Sequence, residues 1–297
     1  MTRAGPGWKA GGMDLAPTRA DVAYAADSPS QRLDVWLPED AQDGPELPAV
    51  LFVHGGGWYY GSRTMAAPKV GPLLAGGFVV ASLDYRLSGE APFPAAVEDV
   101  IAAVRFLQGL PEVDEHRVVL FGESAGANIA CVVGALADQV PPWPAAGSGG
   151  SEHDDGTPVP RVAAVVDWYG PTDFTLMDSH AAEIGCAPST HSADDSPESR
   201  YVGSPLRTAP EAAAQAGPLP HLASAGDAPL PAFAIAHGTA DCTVAPGQAE
   251  LLVDALERRG DRPWVTWLEG AEHSDARFDA ELLAPTIGWL REVLART

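Results

Sequence analysis

The sequence predicts an α/β fold: a mostly parallel eight-stranded sheet with helices on both faces and a small cap segment. Three observations predict it. Short apolar runs of strand length alternate with stretches of helical periodicity, the pattern of strands joined by crossover helices. Two of those runs stop at glycine-rich turns, where a strand gives way abruptly to a loop or a helix. The length of 297 residues and a 46% hydrophobic content suffice for a sizeable core in one domain spanning residues 21–297.

Taken in order, residues 1–20 read as a loose leader, and candidate strands lie at 21–25, 31–37 and 48–53. The third, Pro48-Ala49-Val50-Leu51-Phe52-Val53, is continuously apolar, as a strand covered on both faces must be. A helix at 66–74 leads to a strand at 78–83. The next helix, 94–110, places Val97, Ile101, Val104 and Leu107 on one face. A buried strand at 118–121 runs into a helix at 125–137, and strands at 162–168, 231–236 and 264–268 alternate with helices at 247–259 and 285–295. Two segments interrupt the alternation. Residues 141–160 are rich in Pro, Gly, Ser and acidic residues and read as a flexible surface insertion. Residues 172–227 are long and mixed; lying between the sixth and seventh strands, they read as a cap over the carboxyl ends of the strands, where open α/β sheets bind ligands.

The chemistry is concentrated in two stretches. Gly122-Glu123-Ser124-Ala125-Gly126 fits G-x-S-x-G between a strand and a helix. Such a turn lifts the Ser124 hydroxyl clear of the backbone and aims the Ala125 N–H and the helix N-terminus at one point, where a carbonyl oxygen gathers negative charge. His54-Gly55-Gly56-Gly57-Trp58 comes directly after the third strand, and a run of glycines lets several N–H groups crowd one oxygen. Gly56, Gly57 and Ala125 are therefore the predicted oxyanion-hole donors, and Ser124 the nucleophile. The glycines by themselves would also serve tight turns, but that leaves the serine without a reason.

A serine hydroxyl needs a base and an orienting acid, here in the chain order Ser, acid, His. Asp241 comes after the seventh strand in His237-Gly238-Thr239-Ala240-Asp241, and His273, in Gly270-Ala271-Glu272-His273-Ser274, is the one histidine C-terminal to it. His273 is the predicted base and Asp241 the predicted acid. Asp173 also leaves a strand end and competes for the acid role, although Asp fills helix caps and turns readily. His237 suits a structural hydrogen bond. The aromatic residues Trp58, Tyr59, Tyr60, Trp168, Tyr169 and Phe174 sit near the expected mouth, and Trp58, Tyr59, Trp168 and Phe174 are the candidate pocket residues; aromatics at strand ends serve a core as often as a pocket.

A formal net charge of −22 argues against nucleic acid and anionic membrane surfaces as partners, and allows at most a neutral or cationic substrate preference. Its simpler meaning is solubility. There is no run of 18 apolar residues and no signal-peptide profile, which makes the cytoplasm the default expectation. Three cysteines are too few for a disulfide framework and lack metal-site spacing, so neither a metal nor an organic cofactor is implied. Cys131 reads as a small core residue.

The set His54–Trp58, Asp84-Tyr85-Arg86-Leu87, Ala91-Pro92-Phe93-Pro94-Ala95, Gly122–Gly126 and the Asp241 and His273 loops resembles the α/β-hydrolase esterases related to the bacterial hormone-sensitive-lipase-like enzymes. Trp58 after the glycines, Val166-Asp167-Trp168-Tyr169-Gly170-Pro171-Thr172-Asp173-Phe174 and Asp195-Ser196-Pro197-Glu198-Ser199-Arg200-Tyr201 are similar to the feruloyl- and acetylxylan-esterase-like subgroup. The resemblance covers roughly residues 22–293. It implies the same triad and oxyanion hole, an Asp84–Arg86 ion pair, and acetyl or feruloyl esters as substrates. It further implies a disulfide between Cys186 of the cap and Cys242 after the acid, against which stands the alternative of two free thiols. Ala245, where proline is usual, Glu272 and Ser274 beside the histidine, and residues 141–160 depart from the subgroup's pattern.

The residues predict a serine carboxylic-ester hydrolase working through an acyl-enzyme on a small-molecule ester with a small or aromatic acyl group. The alternatives are a formamide or lactone hydrolase or a biosynthetic acyl transferase with the same triad, and, from another class, a ligand-binding receptor on a hydrolase fold. Sequence alone leaves the oligomeric state open.

Overall fold

Alternation along one central strand determines how the sheet is covered. A computed structural model describes residues 15–39, 41, 44–143 and 157–296. In β3 (Leu47–Val53), Ala49, Leu51 and Val53 face one apolar cluster while Val50 and Phe52 face the other. Successive strand side chains point to opposite faces, so a continuously apolar strand needs cover on both sides.

The remaining strands are β1 (Arg19–Ala23), β2 (Arg32–Trp36), β4 (Val79–Leu83), β5 (Val113–Glu123), β6 (Ala164–Trp168), β7 (Ala232–Gly238) and β8 (Trp264–Leu268). They form one sheet in the order β1-β2-β4-β3-β5-β6-β7-β8. The β1–β2 and β2–β4 pairings are antiparallel and all others parallel. On one face pack α2 (Ala95–Gln108), α3 (Ala125–Ala135) and α8 (Gly247–Arg259), with Val97, Val104, Ile129, Val133 and Leu252 in the first cluster. On the other lie α1 (Ala67–Ala75) and α9 (Leu283–Leu294), contributing Val70, Leu73 and Leu290. Each large aliphatic side chain buried in this way stabilises the fold by about 1.5–3 kcal/mol relative to exposure.

The strand order also positions the site. From β3 the chain steps to β4 on one side and then returns to place β5 on the other, so the crevice at the carboxyl ends of β3 and β5 is the point where the winding reverses. Val53, the last residue of β3, is in register with Gly122 near the end of β5. The two glycine-rich stretches therefore leave the sheet side by side.

Between β6 and β7 the chain forms four short helices, α4 (Met177–Glu183), α5 (Pro197–Val202), α6 (Pro210–Gln215) and α7 (Leu219–Ser224). A disulfide joins Cys186, just after α4, to Cys242 beyond β7. Residues 1–14 of the expected leader and 144–156 of the expected insertion lie outside the described residues, while Arg19 and Ala20, expected in the leader, begin β1 because Arg19 pairs with Val35 of β2. The ends of that insertion meet, with Val159 N–H donating to Gln139 C=O at 2.9 Å.

Two further expectations need correction. β5 begins at Val113, five residues before the apolar run at 118, because Leu47 pairs with Val113 across an irregularity and carries the ladder through Asp114-Glu115-His116-Arg117. That stretch is charged because it extends beyond the covered part of the sheet. Nor do Asp84 and Arg86 pair with each other. Asp84 accepts from the Arg63 backbone N–H at 2.7 Å and pairs with the Arg63 guanidinium. Arg86 pairs instead with Asp99, at 2.7 Å, inside α2. Asp99 is fully buried and also accepts from Gln31 Nε2 at 2.7 Å, so the interior carboxylate takes the nearby guanidinium as its counter-charge.

Candidate active site

Ser124 sits at φ 52°, a left-handed conformation that costs a non-glycine residue energy and here directs the side chain out of the strand–helix turn. The turn is possible because Gly126 lacks a side chain: a Cβ there would lie 2.1 Å from the Val53 carbonyl oxygen of the neighbouring strand. Ser124 N–H donates to the Trp168 carbonyl at 2.9 Å, which ties the turn to β6.

Three strand ends bring three side chains into line. His273 Nε2 is 2.9 Å from Ser124 Oγ, and His273 Nδ1 is 2.6 Å from Asp241 Oδ2. Asp241 is completely buried. Its other oxygen, Oδ1, accepts from the N–H groups of Thr243 at 2.8 Å and Val244 at 2.9 Å, as happens when an aspartate caps its own loop. Burial pushes the Asp241 carboxyl up, but the hydrogen bonds of His237 and His273 outweigh it and hold the group at about 2. Asp241 is thus an anion near neutrality and only accepts. The proton of the 2.6 Å contact must then sit on Nδ1, and in the neutral imidazole this leaves the Nε2 lone pair facing the serine hydroxyl.

The glycine stretch lies against Ser124. Gly56 has φ 113°, and a Cβ on it would meet the Tyr60 carbonyl oxygen at 2.1 Å. Trp58 C=O accepts from Ser88 N–H at 2.7 Å, and His54 C=O accepts from the Tyr85 hydroxyl at 3.0 Å. Gly56, Gly57 and Ala125 border a cavity of about 350 Å³ that also reaches Ser124 and His273. Its far wall comes from between β6 and β7, with Met177, His191, Pro197 and Glu198, and from Thr243 and Val244 after Asp241.

Of the candidate pocket residues, Trp58 and Tyr59 line this cavity, Trp58 buried and Tyr59 exposed. Trp168 and Phe174 do not. Trp168 lies in the second core cluster against Phe121, 4.8 Å between ring centroids, because its position in β6 faces that side of the sheet. Phe174 is buried edge-on against Trp58 at 5.1 Å, supporting a wall residue from behind. Tyr169 lines the cavity, its φ of 50° turning it out of the strand line to meet His273 edge-on at 4.9 Å.

The competing acid, Asp173, stands elsewhere: its side chain accepts from Thr175 N–H at 2.9 Å and caps a short helical turn. His237 donates from Nε2 to the Val244 carbonyl at 2.7 Å. Sequence reading did not reach His191 and Glu198 as pocket residues. The available signals were their position in the expected cap and, for Glu198, its place in the subgroup-like stretch 195–201. Cys131 is buried beside Asp167. Among the described residues no helix is long and apolar enough to cross a membrane.

The sheet, its crossover helices and the side chains gathered at its carboxyl ends define an α/β-hydrolase fold. Residues 33–256 match the BD-FAE family, and the chain belongs to it. Esterase LipC of Mycobacterium tuberculosis is 30% identical over 274 residues, which cover 90% of this chain and 62% of that protein; the chain therefore spans less than two thirds of that relative's length. An acetyl-hydrolase of Streptomyces hygroscopicus is 44% identical over 115 residues, covering 37% of this chain and 36% of the relative. A solved structure, described as a truncated form of a carbohydrate esterase from gut microbiota, superposes with a TM-score of 0.77 at 26% identity and covers 95% of this chain and 98% of that one.

Proposed function

We propose that this chain, as one domain over residues 21–297, is a serine carboxylic-ester hydrolase that acts on small or aromatic acyl esters of the acetyl or feruloyl type. The observation that carries the reading is the continuous chain from Ser124 Oγ through His273 to the buried Asp241, at 2.9 and 2.6 Å. The esterase and acetyl-hydrolase relatives support the same reaction class.

In this mechanism Ser124 Oγ attacks the ester carbonyl while His273 Nε2 removes its proton. Asp241 holds the imidazole by Nδ1 and stabilises the imidazolium. The N–H groups of Gly56, Gly57 and Ala125 take the charge of the tetrahedral oxyanion. Collapse expels the alcohol, which receives the proton from His273, and leaves an acyl-Ser124. Water then attacks the acyl carbon with His273 again as base, and the acid departs with Ser124 restored. The partner is a small-molecule ester; a surface with a formal charge of −22 is unsuited to nucleic acid or anionic membranes.

The test combines covalent labelling with a substrate panel. A fluorophosphonate should label Ser124 in the folded protein, and p-nitrophenyl acetate and methyl ferulate should be turned over faster than N-formyl and lactone compounds of similar size. A folded protein that takes no label would overturn the reading, and faster turnover of the formyl or lactone compounds would move it to those classes.

A further inference from the structure

The cavity at Ser124 is also bordered by an ionisable pair for which the ester mechanism has no use. His191 Nδ1 is 2.8 Å from Glu198 Oε1, and both residues line the catalytic cavity. Glu198 is 3% exposed. His191 is fixed in turn, since its backbone N–H donates to Asp178 Oδ1 at 2.9 Å. Burial pushes the His191 imidazole down, yet the hydrogen bond and charge of Glu198 outweigh it and raise it above its ordinary value. A carboxylate has two oxygens with which to hold a partner.

Here it uses one. Glu198 Oε2 is buried and has no hydrogen-bond partner among the described residues, and the same is true of Trp58 Nε1 on the adjoining wall. Both residues border the same cavity. Trp58 lies flat on Tyr201, 4.6 Å between centroids and 8° between planes, and Tyr201 stands three residues after Glu198 in α5, hence on the same side of that helix. Buried polar groups are almost always paired, and an unpaired one costs about 1–3 kcal/mol, more when charged. The residues bordering the cavity therefore include one with an unsatisfied acceptor and one with an unsatisfied donor. An ammonium would satisfy the carboxylate alone and a ketone the indole alone, whereas a hydroxyl donates and accepts at once.

We propose that Glu198 Oε2 and Trp58 Nε1 form a subsite that reads a hydroxyl group carried by the ester substrate, so that hydroxylated esters are preferred over their alkyl counterparts. This rests on the esterase reading and names the feature of the substrate which that reading leaves open. The hydroxyl has two sources to choose between, the acyl group or the alcohol, and the chemistry of recognition is shared.

The experiment compares kcat/KM within two matched pairs. p-Nitrophenyl 3-hydroxybutyrate against p-nitrophenyl butyrate tests an acyl hydroxyl; glyceryl monoacetate against propyl acetate tests an alcohol hydroxyl. In one pair the unaltered protein should favour the hydroxylated ester by about 10-fold or more, because a site built to hydrogen-bond a hydroxyl rejects the analogue without it. Glu198→Gln, close in shape, and Trp58→Phe, which keeps the stacking on Tyr201, should each reduce that ratio about 10-fold. Active-site titration with the fluorophosphonate normalises the rates to folded, competent protein. Ratios near one in both pairs, or ratios that neither variant moves, would overturn the subsite while leaving the esterase standing. A folded protein that turns over none of the four esters would overturn both.

Discussion

Cys242, the residue immediately after Asp241, is bonded to Cys186 from the segment between β6 and β7, with their Cα atoms 5.7 Å apart. The bond closes a loop of 56 residues around the cavity wall and fastens that wall to the loop of the proposed acid. In the chain-entropy account such a closure contributes about 4 kcal/mol. Replacing both cysteines by serine should therefore lower the urea unfolding free energy by about that amount. Turnover should fall less steeply, because Asp241 Oδ1 keeps its bonds to Thr243 and Val244. A stability loss under about 1 kcal/mol would count against this role. Thiol titration of the unfolded, unreduced protein should find Cys131 alone free. Because disulfides persist in oxidising surroundings, the same count bears on the expectation of cytoplasmic residence.

Ser124→Ala and His273→Ala should each reduce ester hydrolysis by on the order of 10³-fold or more, and the double variant should lose little beyond the worse single. As the proposed nucleophile and base, Ser124 and His273 act as one unit across their 2.9 Å contact, so the second removal takes away nothing that still functions. Losses that multiply in the double variant would show two independent contributions.

Asp241→Asn should lower kcat by roughly 10²–10⁴-fold with a smaller change in KM, since an amide no longer fixes the Nδ1–H tautomer but leaves the cavity intact. Asp173→Asn should do far less, because Asp173 caps a turn through Thr175 and takes no part in the His273 contact. The opposite ranking would transfer the acid role to Asp173.

The local signals around each residue explain why some were legible and others were not. Gly56 stands in a turn whose φ favours glycine, Ser124 lies within a G-x-S-x-G motif, and His273 is the only histidine after Asp241, so motif and chain order sufficed. The buried strands were readable from apolar runs, whereas the exposed β1 lies two residues before its expected place and in β5 Asp114–Arg117 continue a ladder without an apolar pattern. Glu198 and His191 were illegible because their meeting depends on how the short helices α4 and α5 fold over the sheet. Trp168 and Tyr169 show the same limit at single-residue scale: which neighbour faces the cavity depends on the backbone turn at φ 50°, which no sequence period records.

The Asp241 carboxyl also predicts a pH dependence of stability. Held at about 2, it lies below the usual unfolded value near 3.9, so the native state favours its ionised form. The stabilisation is full above the unfolded value and disappears as pH falls through the folded one; a shift of this size corresponds to about 2 kcal/mol. The unfolding free energy of the unaltered protein minus that of Asp241→Asn should therefore shrink by about this amount between about pH 5 and pH 2, a window set by those two values. Taking the difference cancels the other carboxylates. A difference that stays constant over that range would refute the assignment.

Near Ser124, Lys69 of α1 is only 3% exposed and holds two carboxylates, Glu123 at 2.7 Å and Asp279 at 2.9 Å. Burial pushes its ammonium down, but the two carboxylates outweigh that and raise it. The charge also lies 5.3 Å from the Phe52 ring and 5.4 Å from that of Trp168, an arrangement suited to a cation. Lys69→Met preserves much of the side-chain volume but leaves Glu123, which directly precedes Ser124, without its counter-charge. The expected loss is about 3 kcal/mol of unfolding free energy, the low end for breaking a buried pair, because Asp279 is partly exposed. Adding Glu123→Gln to Lys69→Met should recover part of it, since the neutral amide no longer needs compensation. If the double variant is less stable than Lys69→Met alone, the cost lies in packing and the account by unpaired charge is wrong.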